Sequence, residues 1–317
     1  MKYESYLRSC SLCPRECGVD RIAGEMGKCR MGAEACVSRA SLHMWEEPCI
    51  SGSTGSGTVF FTGCSLGCKY CQNYTIAHPL AESTGKKSTG AGAAAIPLSE
   101  EQLADVFLRL QERGAANINL VTAAHFAVQV AAALRAAKEK GLRIPVVYNS
   151  SGYEKTDTLK MLEGLVDIYL PDLKYLSPDL AQKYSGAADY PEYACKALAE
   201  MVRQAGPAVF DDKGMMLRGV IVRVLLLPGH VKEACAVTEY LHREYGERIY
   251  ISLMSQYTPM PAMKDDPLLS RKVTKREYER LVNYAVEIGV ENGFFQEGKT
   301  AEESFIPDFN GEGVLIS

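Results

Sequence analysis

The chain places three cysteines, Cys64, Cys68 and Cys71, on one short loop directly after an apolar run at 58–62, and no other feature restricts it as tightly. The run Thr-Val-Phe-Phe-Thr reads as a buried strand. The loop reads Gly-Cys-Ser-Leu-Gly-Cys-Lys-Tyr-Cys-Gln-Asn from Gly63 to Asn73, a C-x3-C-x2-C spacing. Three thiolates on one tight loop can ligate three irons of a cubane and leave the fourth iron open to a chelating group. The plainer reading is a zinc site or three unrelated thiols. Position straight after a strand, with aromatic Tyr70 before the last cysteine, argues against it.

Of the 11 cysteines, nine lie between Cys10 and Cys71. In a reducing compartment such clustering marks ligands more often than disulfides. Cys195 and Cys235 fall in helical patterns and are expected to be small buried hydrophobes. Cys10-x2-Cys13-x3-Cys17-x11-Cys29 puts four thiols within 20 residues, with Pro14 and Gly18 helping the chain turn. Two metal readings compete: a zinc knuckle with four cysteine ligands, or a second iron–sulfur cluster feeding electrons to the first. Cys36 and Cys49 are alternative ligands, and a metal-free role is the third reading.

Net charge is −4, so no broad basic surface is implied and nucleic acid is not an expected partner. No run of apolar residues is long enough for a membrane span. The opening MKYESYLRSC lacks the apolar core of a secretory signal, and a cytoplasmic location is expected.

The segment 1–50 is cysteine-rich and poor in periodic structure, and reads as an N-terminal metal-binding extension to the remainder, 51–317. The stretch 82–97 is low in complexity and reads as a surface loop. From there the chain alternates. Ser99 and Gln102 form a capping-box pattern ahead of a helix whose buried face is Leu103, Val106, Phe107 and Leu110. Strands are expected at 58–62, 117–122, 144–148, 166–170, 220–227 and 248–254. Helices are expected at 128–140, 156–165, 190–204, 231–245 and 274–288, the last with Thr274 and Glu277 as its capping box. Six apolar strands alternating with helices suit a parallel sheet curled into an open or closed barrel. Its active site would lie at the C-terminal ends of the strands.

The sequence resembles the radical S-adenosylmethionine (SAM) superfamily. Within it the chain looks closest to the glycyl-radical-activating branch, among homologues of pyruvate formate-lyase activating protein. The resemblance covers nearly the whole chain and rests on CSLCPRECGVDR at 10–21, EEPCISGSTGSGTVFFTGCSLGCKYCQN at 46–73, NINLVTAAHF at 117–126, YNSSGYE at 148–154, LPDLKY at 170–175, RGVIVRVLLLPGH at 218–230 and MSQYTP at 254–259, with GFFQ and SFIPDFNGEGV near the end.

The resemblance implies an α/β fold, a partial (β/α)6 TIM-like barrel, with a [4Fe–4S] cluster on Cys64, Cys68 and Cys71. It implies one-electron reduction by a donor such as flavodoxin or ferredoxin. SAM would then be cleaved to a 5′-deoxyadenosyl radical that takes hydrogen from a substrate. That substrate would be a glycyl-radical enzyme, a peptide or a small molecule. A non-catalytic iron–sulfur electron-transfer protein is the rival from another class. Tyr70 and Asn73 would flank the cofactor. Thr122 and Ala123 stand where relatives carry Gly-Gly-Glu, so contact with the SAM amine would fall to backbone carbonyls and Thr122. Asn149 and Ser150 match the relatives' polar pair on the third strand, and Asp172 and Lys174 their Asp-Leu-Lys. Asn149 replaces the usual acidic residue of a cation site. Arg223 matches an arginine near the SAM ribose or carboxylate. On its own terms, Arg223 in a run of Val and Leu needs an anion nearby, and Asp172 and Lys174, two apart on a strand, share a face. His125 and His230 read equally as structural loop histidines or substrate contacts.

Overall fold

The computed structural model describes residues 4–79, 93–295 and 307–315. In chain order it contains α1 (Glu4–Arg8), β1 (Ala35–His43), α2 (Pro48–Ser51), β2 (Ser56–Phe61), α3 (Tyr74–Ala77), β3 (Ile96–Leu98), α4 (Glu100–Glu112) and β4 (Ile118–Val121). Then come α5 (Ala127–Glu139), β5 (Val146–Ser150), α6 (Thr156–Lys160), β6 (Ile168–Pro171), α7 (Pro178–Ser185), α8 (Tyr190–Ala205), β7 (Val209–Phe210) and β8 (Met216–Leu225). The chain continues through α9 (Val231–Tyr245), β9 (Tyr250–Met254), α10 (Lys275–Glu287) and β10 (Gly293–Phe295).

The local signals act as physical chemistry dictates. Both capping boxes form: Ser99 with Gln102 opens α4, and Thr274 with Glu277 opens α10. The buried face of α4 is Leu103, Ala104, Val106, Phe107 and Leu110, and the left-handed Gly114 ends the helix. The six expected strands are present as β2, β4, β5, β6, β8 and β9, side by side in that order and all parallel. This is an α/β fold with a mostly parallel sheet, the architecture of a partial TIM-like barrel.

One strand face packs under the helices in the main core. The other turns inward, where Cys49 and Ile50 of α2 pack against Val147, Ile168, Leu170 and Ile221. That plug sits at the N-terminal ends of the strands, since Asn117, just before β4, donates to Ile50 O at 2.7 Å.

Four expectations are corrected. The segment 1–50 holds a nine-residue strand: β1 pairs antiparallel with β2, and β3 pairs with β1. Its Ala, Cys, Ser and Arg hide the pattern, and buried Ser38 shares a hydrogen bond with Thr62, 2.7 Å away, that only the fold brings together. The expected loop 82–97 lies partly outside the described residues, and its end enters β3, where Pro97 is tolerated at the sheet edge. Helix 156–165 stops at Lys160, and turns carry the chain to Val166. Cys195 and Cys235 are half-buried on α8 and α9 rather than core residues.

Candidate active site

β2 delivers the chain at its C-terminal end to Gly63, which has φ 85°. A side chain there would meet Met31 Cγ at 2.5 Å and Cys29 O at 2.7 Å, so glycine is required on both counts. The loop then turns back on itself. Cys71 N donates to Cys68 O at 3.3 Å, and Ile76 N and Ala77 N of α3 donate to Asn73 O. Buried Tyr70 packs its ring among Tyr175, Tyr184 and Tyr257.

The three thiols lie within electrostatic reach of one another and of Lys174. Burial pushes all three pKa values up; hydrogen bonds and the Lys174 ammonium oppose it. The backbone at Leu66 and Gly67 counters the rise at Cys64 and that at Asn73 the rise at Cys71, while the Ser185 hydroxyl donates to Cys68 at 3.2 Å. Three sulfurs on one loop, that of Cys68 buried and those of Cys64 and Cys71 half-buried, with little positive charge beside them, form a donor set that suits several iron ions. Among the described residues no three Cys, His, Asp or Glu side chains are grouped to hold a single metal ion. The sulfurs of a cubane bind separate irons and need not converge on one point.

Asp172 follows β6 and bridges in register to Arg223 of β8. Lys174 Nζ donates to Asp172 Oδ2 at 2.7 Å. Burial works against the Lys174 charge, but Asp172 and the nearby Cys68 outweigh it and hold the ammonium above its ordinary value. Thr122 ends β4 with φ 62°, a left-handed conformation that a β-branched residue adopts only where its surroundings impose it. Its amide donates to Asn149 O at 2.9 Å, tying the ends of β4 and β5 together. Ala123 is fully buried at the turn that follows.

Two side chains have protein partners that the sequence did not show. Asn149 and Ser150, as neighbours on a strand, face opposite ways, and Ser150 Oγ donates to the buried Glu154 at 2.5 Å. The anion that Arg223 needs is supplied by the protein: its Nε reaches Glu47 Oε1 at 2.8 Å and its Nη2 pairs with Glu47 and Glu46. Asn119 holds Glu46 in turn at 2.8 Å. The adjacent acidic pair at 46–47 was the missed signal. His125 is structural: fully buried, it bonds Thr62 O at 2.8 Å, and burial drops its pKa to about 3. His230 lies 2.9 Å from the Tyr184 hydroxyl.

The N-terminal thiols sit on the same face. Cys10, Cys13 and Cys29 are buried and Cys17 is exposed. Burial pushes the Cys13 thiol up to about 12, against the Arg15 amide, and the Cys29, Cys10 and Cys17 thiols add to the rise. Lys28 N donates to Cys17 Sγ at 3.3 Å, and the Met31 amide donates to Cys29. Arg15 ties this segment to the loop, donating to Ser65 O at 3.0 Å and Leu66 O at 3.1 Å, while its other nitrogen reaches Gly186 O at 2.7 Å. Arg21, 2% exposed, anchors Gly32 O and His125 O. A cavity of about 510 Å³ lined by Cys49, Phe210, Tyr250 and Phe294 lies at the opposite end of the strands, away from this chemistry.

A parallel α/β barrel with a three-cysteine loop beyond its first inner strand defines the class. The radical SAM superfamily model matches residues 58–233, and the chain belongs to that superfamily. It is similar to the uncharacterized protein MJ0674 of Methanocaldococcus jannaschii, 25% identical over 284 residues, covering 89% of this chain and 75% of that protein. Among solved structures it is similar to Streptococcus suis SuiB bound to S-adenosylmethionine, with TM-score 0.47, 12% identity, and 75% of this chain covered. It is also similar to methylornithine synthase (PylB), with TM-score 0.47, 10% identity, and 70% covered. The chain spans 49% of SuiB and 59% of methylornithine synthase.

Proposed function

We propose that Cys64, Cys68 and Cys71 hold a [4Fe–4S] cluster, that SAM binds beside it, and that a radical made from SAM takes hydrogen from a substrate, a glycyl-radical enzyme, a peptide or a small molecule. The observation that carries this reading is the three-cysteine loop at the C-terminal ends of the parallel strands, with buried Cys68 accepting the Ser185 hydroxyl at 3.2 Å. A cluster held by Cys64, Cys68 and Cys71 would supply the electron for reductive cleavage of SAM.

The chain's own residues supply position and environment. Amides of Leu66, Gly67 and Asn73 favour the thiolate form of the ligands. Lys174 offsets part of their negative charge and fixes Asp172 just beyond the end of β6. Thr122 and Asn149, at adjoining strand ends, offer polar atoms to the amino and carboxylate groups of SAM. The tyrosine wall around Tyr70 keeps water from the reactive centre. The glycyl-radical partner is what the resemblance implies; a peptide or small molecule would be served by the same radical.

Anaerobically reconstituted protein is expected to release 5′-deoxyadenosine from SAM on reduction, and Cys68→Ala to release none. Cleavage by Cys68→Ala at the wild-type rate would sink the reading. Asp172→Ala is expected to weaken SAM binding with the cluster intact, measured by calorimetry against iron content.

We further propose that Cys10, Cys13, Cys17 and Cys29 bind their own metal, zinc or a second cluster, within an N-terminal segment, 1–50, ahead of the barrel at 51–317. A Cys64/Cys68/Cys71 triple-alanine variant separates the two: iron with sulfide remaining means a cluster, zinc without iron a knuckle. A reducing, cytoplasmic setting with a flavodoxin or ferredoxin donor accords with this thiol content.

A further inference from the structure

The three loop sulfurs have different surroundings. Backbone of the loop itself, at Leu66, Gly67 and Asn73, favours the charged form of Cys64 and Cys71. Cys68 Sγ instead takes the Ser185 hydroxyl at 3.2 Å, from a residue 117 positions away in the chain. Ser185 ends α7 and is 3% exposed.

Its place is set from several sides. Arg15 donates to Ser185 O at 3.2 Å and Gly186 O at 2.7 Å while holding Ser65 O and Leu66 O. Lys69 N, next to Cys68, donates to Tyr184 O at 2.9 Å. The end of α7 and the cysteine loop are therefore held as one unit.

Ser185 has one hydroxyl proton and two neighbours able to accept it: Cys68 Sγ, and the Tyr175 oxygen at 3.1 Å. Tyr175 places its own proton on the Tyr70 hydroxyl at 2.6 Å. A ligating thiolate is a stronger acceptor than a phenol oxygen, so the Ser185 proton belongs to sulfur once Cys68 carries iron. A hydrogen bond onto a ligand sulfur draws electron density from it. It stabilises the reduced, more negative cluster over the oxidised one.

We propose that Ser185 sets the reduction potential of the cluster, its hydroxyl raising that potential through Cys68. This rests on Cys64, Cys68 and Cys71 being the ligands, as proposed above. Its consequence is a cluster more easily reduced by a weak one-electron donor, with less driving force left for cleavage of SAM.

The test is an anaerobic redox titration, followed by electron paramagnetic resonance, of reconstituted wild type, Ser185→Ala, Ser185→Thr, Tyr175→Phe and Cys68→Ala, with iron and sulfide counted in each. Ser185→Ala is expected to hold wild-type iron and sulfide at a lower midpoint potential, and Ser185→Thr, which keeps the hydroxyl, to move back toward wild type. Tyr175→Phe removes the competing acceptor and is expected to leave the potential equal or higher. A full cluster at unchanged potential in Ser185→Ala overturns the proposal. So does loss of the cluster in that variant, which would make Ser185 structural, or a lowered potential in Tyr175→Phe. Wild-type iron and sulfide in Cys68→Ala overturns the ligand assignment instead.

Discussion

Glu154 shows how much one buried group can carry. Its carboxyl accepts from Ser150 Oγ at 2.5 Å and the Tyr148 hydroxyl at 3.3 Å. Burial raises its pKa to about 7, against the pull of these two donors. The folded state thus binds the proton more tightly than the unfolded chain does. The associated stability is fully present below the unfolded carboxyl range and is lost as pH rises through about 7. The urea midpoint is therefore predicted to fall across that window, and Glu154→Gln to flatten the fall by roughly 3 kcal/mol. Equal pH profiles for the two proteins would refute this. Arg223 makes the opposite case, a charge kept by partners. Removing it as Arg223→Met strands Glu46 and Glu47 in a buried site, at an expected loss of about 3–5 kcal/mol. Substituting Gln at both glutamates in the same protein is predicted to recover most of that loss, as read by chemical denaturation. The Arg223 network was not legible in the sequence, because it joins residues 176 positions apart; the Glu154 network is local, but only the fold buries it.

At the scale of elements, the junction of β2 with the cysteine loop is the tightest point. Gly63 lies against Cys29 O and Met31, so Gly63→Ala has to move backbone of the N-terminal segment as well as adopt a strained φ. The predicted loss is at least about 2 kcal/mol, with iron content falling alongside the melting temperature. Wild-type iron content at wild-type stability would show that the junction is softer than its geometry implies. The helices with both a capping box and an apolar stripe, α4 and α10, were readable from the chain alone. Eight-residue α7 was not: its Ser177 cap and Pro178 start are visible, but its purpose lies in Tyr184, Ser185 and Gly186 meeting the cysteine loop.

Over the whole molecule, the N-terminal segment is built into the active face and not appended to it. Arg15 links it to the cysteine loop and α7, Thr158 Oγ1 donates to Leu12 O at 2.7 Å, and Arg21 reaches the turn after β4. Arg15→Ala is predicted to expose residues 1–34 to limited proteolysis while the barrel helices stay protected. The cluster is predicted to be lost to chelators several-fold faster than from wild type. Unchanged cleavage and chelation rates would mean that the segment docks without Arg15.

The sequence by itself determined the parallel sheet, its six inner strands and the loop that carries Cys64, Cys68 and Cys71. Strand and helix periodicity, caps and cysteine spacing are local properties, written within a few residues of where they act. Only the tertiary structure decided which charges meet and which side chain addresses which sulfur. Arg223 pairs with Glu47 across 176 positions, and Ser185 reaches Cys68 across 117. Contacts of that span exist only once the strands are ordered side by side, and strand order is not a local property of any segment.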